Sequence, residues 1–280
     1  MSTNNITSYS IDMVYNENNE GLKLKPHFHN SYQIIYVLDG KIQCCINNKQ
    51  YTVTRNSIIF INNMESHNIK VIEYPYRRYF TLIKPDFFKS AIQNPIFSSV
   101  FSNRSEGFRH VLQLDNDDEN TIKYVSRNLR SLYEEVNNKD EFWEDVVKSH
   151  LNLIFTLLYR KHPDFFPLNT IGQTMHSIIK IQKYIEDHYT ESITLDYMSK
   201  LFFINKYYIS HQFKKVTGFT FKEYLIMQRI SKAKDLLLYT NDNITHVCMN
   251  SGFNNVNHFI RIFKKYEGTT PYQYRKKNSK

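Results

Sequence analysis

The sequence predicts an α+β chain of two domains: an N-terminal antiparallel β-barrel that runs into a helical linker, then an all-α C-terminal domain. Three observations carry this. Short apolar runs with period-two alternation fill residues 22–83, apolar spacing turns helical beyond about Pro85, and positive charge collects in the last 110 residues. A length of 280 residues suits two domains, and 41 Tyr and Phe residues supply a large core. Other classes are excluded. The start, MSTNNITSYS, is polar and lacks the basic-then-apolar pattern of a signal peptide. No run approaches the ~18–20 apolar residues of a membrane span. Three cysteines make no disulfide framework: neighbours Cys44 and Cys45 face opposite sides of a strand, and Cys248 lies in a helical pattern. A reducing cytoplasm is the expected compartment.

In the first domain, assigned to residues 1–90, the stretch SYQIIYVLDGKIQCCINNKQYTVTRNSIIFIN reads as four strands. An Asp39-Gly40 turn separates the first two and Asn47-Asn48 the next. Residues 91–165 are expected to form a helical linker and dimerisation region, with helices at 119–136 and 141–160. Val147, His150, Leu151, Ile154, Phe155 and Leu158 share one face of the second. KHPDFFPLNT (161–170), with two prolines, reads as a linker.

The C-terminal domain, residues 171–280, is expected to hold seven helices, at about 173–189, 194–202, 205–216, 220–239, 243–251, 255–266 and 271–276. Thr194, Asn205 and Asn254 are the expected N-caps. Gly218 and Gly268 follow helix ends, and Pro271 suits a first turn. This domain holds 17 Lys/Arg against 8 Asp/Glu, whereas residues 1–170 hold 19 of each. The whole excess of positive charge is therefore in one domain, which points to a polyanionic partner.

A repeated phrase sharpens that reading. FKKVTGFTFKEY (213–224) recurs as FKKYEGTTPYQY (263–274), with six identities at an offset of fifty. Each copy begins on a helix that follows a shorter helix across a tight turn, so the domain carries two helix-turn-helix motifs, about 194–216 and 243–266. In helix 205–216, Ile209, Phe213 and Val216 form an apolar stripe, while Tyr207, Ser210, His211 and Lys214 share a polar face. In helix 255–266, the stripe is Phe259, Phe263 and Tyr266, and Asn257, Arg261 and Lys264 share the other face. Ser199 and Cys248 are small residues at matching places in the shorter helices, where helices cross closely. Lys214, Lys215, Lys264 and Lys265, at the helix ends, suit phosphates. Helix 220–239 would span about 30 Å, near the ~34 Å between successive major grooves on one face of DNA.

These residues resemble the DNA-binding domain of the AraC/XylS family of bacterial transcription regulators over 181–275. The carriers are LDYMSKLFFINKYYISHQFKKVTGFTFKEYLIMQRISKAKDLL and ITHVCMNSGFNNVNHFIRIFKKYEGTTPYQYR. The chain departs from the family at Ser199 and Cys248, where alanine is usual, and at Phe203, where glycine is frequent. By this resemblance the base-reading positions are Lys206, Tyr207, Ser210 and His211 in the first motif, and Asn255, Val256, Asn257 and Arg261 in the second.

GLKLKPHFHNSYQIIYVLDG (21–40) spaces His27, His29, Gln33 and Gly40 as the first cupin motif does, with Gln33 where that motif has glutamate; NSIIFINNMESH ends at His67, as the second cupin motif ends in histidine. The resemblance implies a cupin-like sensor barrel. His27, His29, Gln33, Tyr36 and His67 are expected to line its mouth as the pocket of a small effector. Without the carboxylate, no bound metal and no cofactor are expected. The resulting expectation is a cytoplasmic, nucleoid-associated regulator that binds double-stranded DNA and is no enzyme. It would answer to a small effector, act as a homodimer, and contact RNA polymerase if it activates. The competing reading is a cupin metalloenzyme fused to a nucleic-acid-binding module, which the missing carboxylate at Gln33 disfavours.

Overall fold

In the computed structural model the described residues are 10–24, 26–47, 49–102, 108–115, 117–166, 173–217 and 219–278. They fall into two compact units, one within Tyr9–Gly172 and one within Gln173–Lys280.

The N-terminal unit is built on an antiparallel sheet. Its strands are β1 (Ile11–Asn18), β2 (Tyr32–Ile46), β3 (Lys49–Val53), β4 (Ser57–Ile61), β5 (His67–Ile83) and β6 (Val111–Gln113). The order is β1-β5-β2-β4-β6, with β3 also on β2. The sheet thus takes a strand from beyond residue 90. Between β5 and β6 lie α1 (Pro85–Ala91) and α2 (Pro95–Ser102); α3 (Glu119–Asn138) and α4 (Trp143–Lys161) follow.

The Asp39-Gly40 turn is corrected: β2 runs through it without reversing. The register with β5 slips between Val37, Asp39, Lys41 and Ile42, so these residues form a bulge rather than a hairpin. Gly40 has φ +87°, and a Cβ there would lie 2.5 Å from the Pro75 carbonyl oxygen, which explains the glycine. The bulge also shifts the side-chain alternation. Ile35 and Val37 before it and Ile42, Cys44 and Ile46 after it pack into the same cluster. Asn47 makes the next reversal with φ 50°; Asn48 lies outside the described residues, as does Gly218.

Both sheet faces are buried. Ile34, Tyr36, Ile58 and Phe60 pack against the helices with Phe101, Leu129, Leu132, Leu151, Ile154 and Phe155. Each such side chain, fully buried, stabilises the fold by roughly 1.5–3 kcal/mol. Val147, Leu151, Ile154, Phe155 and Leu158 of α4 are buried as their spacing predicts. His150, on the same side, bonds through Nδ1 to Asn128 Oδ1 at 2.9 Å. Of the linker expected at 161–170, residues 167–170 lie outside the described residues. Pro163–Phe165 is a 3-10 turn, and Phe166 is buried in the helix-facing core.

The C-terminal unit comprises α5 (Gln173–His188), α6 (Leu195–Phe202), α7 (Lys206–Thr217), α8 (Phe221–Tyr239), α9 (Ile244–Asn250), α10 (Val256–Glu267) and α11 (Pro271–Asn278). Helix α8 carries both halves. Near its start, Phe221 and Tyr224 pack edge-to-face on Phe213 of α7. Further along, Ile230, Ala233 and Leu237 join Val247, Cys248, Phe259 and Phe263 of α9 and α10. No helix among the described residues is long and apolar enough to cross a membrane.

Candidate functional site

Each motif is assembled by the same local devices. Thr194 caps α6 by accepting from Tyr197 N, and Asn205 Oδ1 accepts from Tyr207 N at 2.9 Å at the start of α7. In the second motif, Asn243 caps α9, and the cap of α10 is Asn255, not Asn254: its side chain accepts from His258 N at 2.8 Å. The offset of fifty already pairs Asn255 with Asn205, a signal that assigning Asn254 ignores. Asn255, expected as a base-reading position, thus also holds the end of α10 through its side-chain oxygen. Ser199 and Cys248 do more than let helices approach. Ser199 Oγ donates to Ile204 O at 2.6 Å, and Cys248 Sγ donates to Phe253 O at 3.5 Å, so each pins the turn before its second helix.

The repeated phrase now has a structural meaning. Phe213 meets Tyr224 edge-to-face at 5.3 Å, and Phe263 meets Tyr274 at 5.4 Å. Thr220 and Glu223 form a capping box on α8; Thr270 and Gln273 form the same reciprocal bonds at α11. Gly268 ends α10 with φ 74°. Each copy therefore locks its second helix onto the helix that follows.

That packing leaves one face of α7 and of α10 in solvent. Tyr207, Ser210, His211, Lys214 and Lys215 are exposed, as are Asn257, Arg261, Lys264 and Lys265. Tyr207 is 75% exposed and its neighbour Tyr208 41%, so Tyr207 is the outward ring. Lys206 and Val256 are half-buried. Lys206 pairs with Asp196 at 2.8 Å, which raises the lysine pKa and lowers that of the aspartate through their hydrogen bond. Ile209 and Phe213, and Phe259 and Phe263, are fully buried beneath these faces.

The second cluster lies on the sheet face away from the helices. His27 and His67 form an antiparallel bridge, and the ring centroids of His27 and His29 lie 4.3 and 5.1 Å from that of His67. Gln33 Oε1 is 2.8 Å from His29 Nε2. His67 is held well below the ordinary histidine pKa, first by burial and then by the two neighbouring rings. Tyr36 is a correction: it does not join this set. It alternates to the opposite face with Ile34, where its hydroxyl shares a 3.0 Å hydrogen bond with Ser126 Oγ of α3. The strand period of two separates it from Gln33. A buried network beside the histidines escapes sequence reasoning. Glu65 Oε1 is 3.0 Å from His110 Nε2, and the Tyr51 hydroxyl is 2.7 Å from His110 Nδ1. His110, just before β6, carries no periodic signal.

Comparison with known proteins decides the family. Residues 11–135 match the AraC-like ligand binding domain family and residues 198–277 the helix-turn-helix domain family. The chain belongs to the AraC family of transcriptional regulators. Among its AraC-family relatives, the transcriptional activator RhaS of Escherichia fergusonii is 24% identical over 89% of this chain and 86% of its own length. The bifunctional transcriptional activator/DNA repair enzyme AdaA of Bacillus subtilis is 35% identical over 34% of this chain and 45% of its own. The fold is that of ToxT from Vibrio cholerae. An apo form of a ToxT variant aligns with TM-score 0.62 at 17% identity, over 97% of this chain and 99% of that one. An unsaturated fatty acid-bound ToxT aligns with TM-score 0.57 at 17% identity, over 98% and 97%. This AraC-family chain thus pairs a ligand-binding domain with a helix-turn-helix DNA-binding domain.

Proposed function

We propose that this regulator reads specific double-stranded DNA with α7 and α10 in two adjacent major grooves. The observation that carries the reading is the pair of equivalent exposed faces, Tyr207/Ser210/His211 and Asn257/Arg261, each ending in two lysines. Arg261 offers a bidentate guanidinium for guanine, His211 and Asn257 offer short-range hydrogen bonds, and Lys214, Lys215, Lys264 and Lys265 suit phosphates. Lys206 and Val256 serve at the margins, by charge and by thymine-methyl contact. Helix α8, with 19 residues, is about 28 Å long, which suits the ~34 Å groove repeat. Footprinting of genomic fragments tests this: two protected segments one helical turn apart are expected. Affinity should fall steeply with salt, and a flat salt response refutes phosphate engagement.

The effector reading rests on the AraC-like ligand-binding domain, with His27, His29, Gln33 and His67 as its polar group. The unsaturated fatty acid bound to ToxT, which shares this fold, supports a small-molecule effector. In this reading the protein is not an enzyme, works in the cytoplasm as a homodimer, and contacts RNA polymerase where it activates. Effector binding shifts the population of DNA-binding arrangements.

A further inference from the structure

We propose that His27, His29 and His67 bind a divalent transition-metal ion of the zinc, nickel or cobalt class, so that the signal answered by the N-terminal unit is or includes a metal. This rests on reading that unit as the sensor half, and it replaces the expectation of no metal drawn from Gln33.

The backbone brings the three rings together. His27 N donates to His67 O at 3.1 Å and His67 N donates to His27 O at 2.9 Å, so the two residues are a directly opposed pair with side chains on one face. His29 lies two residues further along. One ring nitrogen from each lies within 4.8 Å of the others. Zinc–nitrogen bonds of about 2.0–2.1 Å need donors nearer ~3.4 Å apart in a tetrahedron. The rings must therefore close around the ion, and His27 and His29, half-buried on a segment outside the named strands, are placed to do so.

The hydrogen bonds set which nitrogen is offered. His67 Nδ1 donates to Glu65 O at 2.9 Å, and His29 Nδ1 donates to Ser31 O at 3.0 Å. A backbone carbonyl holding one nitrogen, with the lone pair of the other presented inward, is the outer-shell arrangement of metal-binding imidazoles. His67 is 2% exposed and its Nε2 has no hydrogen-bond partner. An acceptor buried in that state calls for a donor or a cation. Turning the Gln33 amide by about 180° brings its NH2 to the neutral His29 Nε2. With an ion present, the Gln33 oxygen is the adjacent candidate for a fourth position. Three imidazoles without a carboxylate suit borderline metals and not magnesium or calcium, which demand oxygen ligands. The ion would also tie the segment that pairs with β5 through Leu24 N→Ile69 O and Val71 N→Leu22 O.

The test uses the untagged full chain, stripped with chelator and titrated with Co2+ and with Zn2+. One ion per chain, a visible Co2+ ligand-field band, and a melting shift of roughly 5–10 °C at hundredfold excess over Kd are expected. His29→Ala and His67→Gln should each weaken uptake at least about tenfold, while His246→Gln, exposed in α9, binds like wild type. If His67→Gln fails to fold, His29→Ala decides alone. No uptake, or equal uptake by wild type and His29→Ala, overturns the site. DNA binding by the same metal-free protein is scored separately. Salt-dependent binding without metal uptake refutes the metal and leaves the regulator reading intact; metal uptake without DNA binding does the reverse.

Discussion

The two helix-turn-helix motifs differ in what surrounds one turn residue. Phe203 and Gly252 occupy corresponding places after the first helix, and both have positive φ, 54° and 87°. Phe203 is 95% exposed. At Gly252 an added Cβ would lie 2.8 Å from the Tyr189 carbonyl oxygen and 2.9 Å from Thr190 Cα. Arg229 braces that side, donating to Tyr189 O and Glu191 O at 2.8 Å. One turn conformation thus serves both motifs, but only the second is shut in by neighbouring backbone. The first tolerates a side chain at the cost of left-handed strain, ~1–2 kcal/mol for a residue with a Cβ.

Breaking what the motifs share should have the largest effect. Phe213→Ala and Phe263→Ala each remove a fully buried ring packed on the tyrosine of its phrase, and each should cost about 3–5 kcal/mol in urea unfolding. A much smaller loss at one of them would show that the repeat does not do the same work twice. Next comes the contrast at the turns. Gly252→Ala should cost about 2–4 kcal/mol from strain and overpacking. Phe203→Gly should leave stability within about 1 kcal/mol of wild type, on the stabilising side. Equal costs would refute the difference between the open and the closed turn.

On DNA, Arg261→Ala should weaken specific binding by about 1–3 kcal/mol without changing the melting temperature. An equal loss on random DNA would assign Arg261 to phosphate. The smallest effect separates the caps. Backbone and side-chain bonds from Thr220 lower the pKa of Glu223 below its ordinary 4.5. Its contribution is therefore present above that value and lost as pH falls through the folded value. Gln273, its counterpart, does not titrate. Glu223→Gln should remove this acid dependence and cost at most about 1 kcal/mol at pH 7; an unchanged pH profile would discount the box.

Much of the C-terminal unit was legible because its cues are local. Capping residues, glycines and the 3.6-residue spacing of Ile209, Phe213, Phe259 and Phe263 act within one or two turns of chain. The faces left outward by that spacing follow from it. The N-terminal unit was less legible where contacts are distant. Asp39-Gly40 reads as a hairpin turn until the Pro75 carbonyl, 35 residues on, is seen to demand a glycine in a bulge. Tyr36 looks close to Gln33 until strand pairing puts it on the helix side. His110 finds Glu65 only across the sheet.

By itself the sequence determined the two classes of secondary structure, the segregation of charge, the duplicated motif and the identity of the outward side chains. Short-range sterics, capping and periodicity decide those, and they are written in neighbouring residues. Tertiary structure alone decided which turn is open and which is closed, how β2 keeps one face through its bulge, and that the rings of His27, His29 and His67 meet. Those outcomes depend on chain segments tens of residues apart, whose pairing no local pattern encodes.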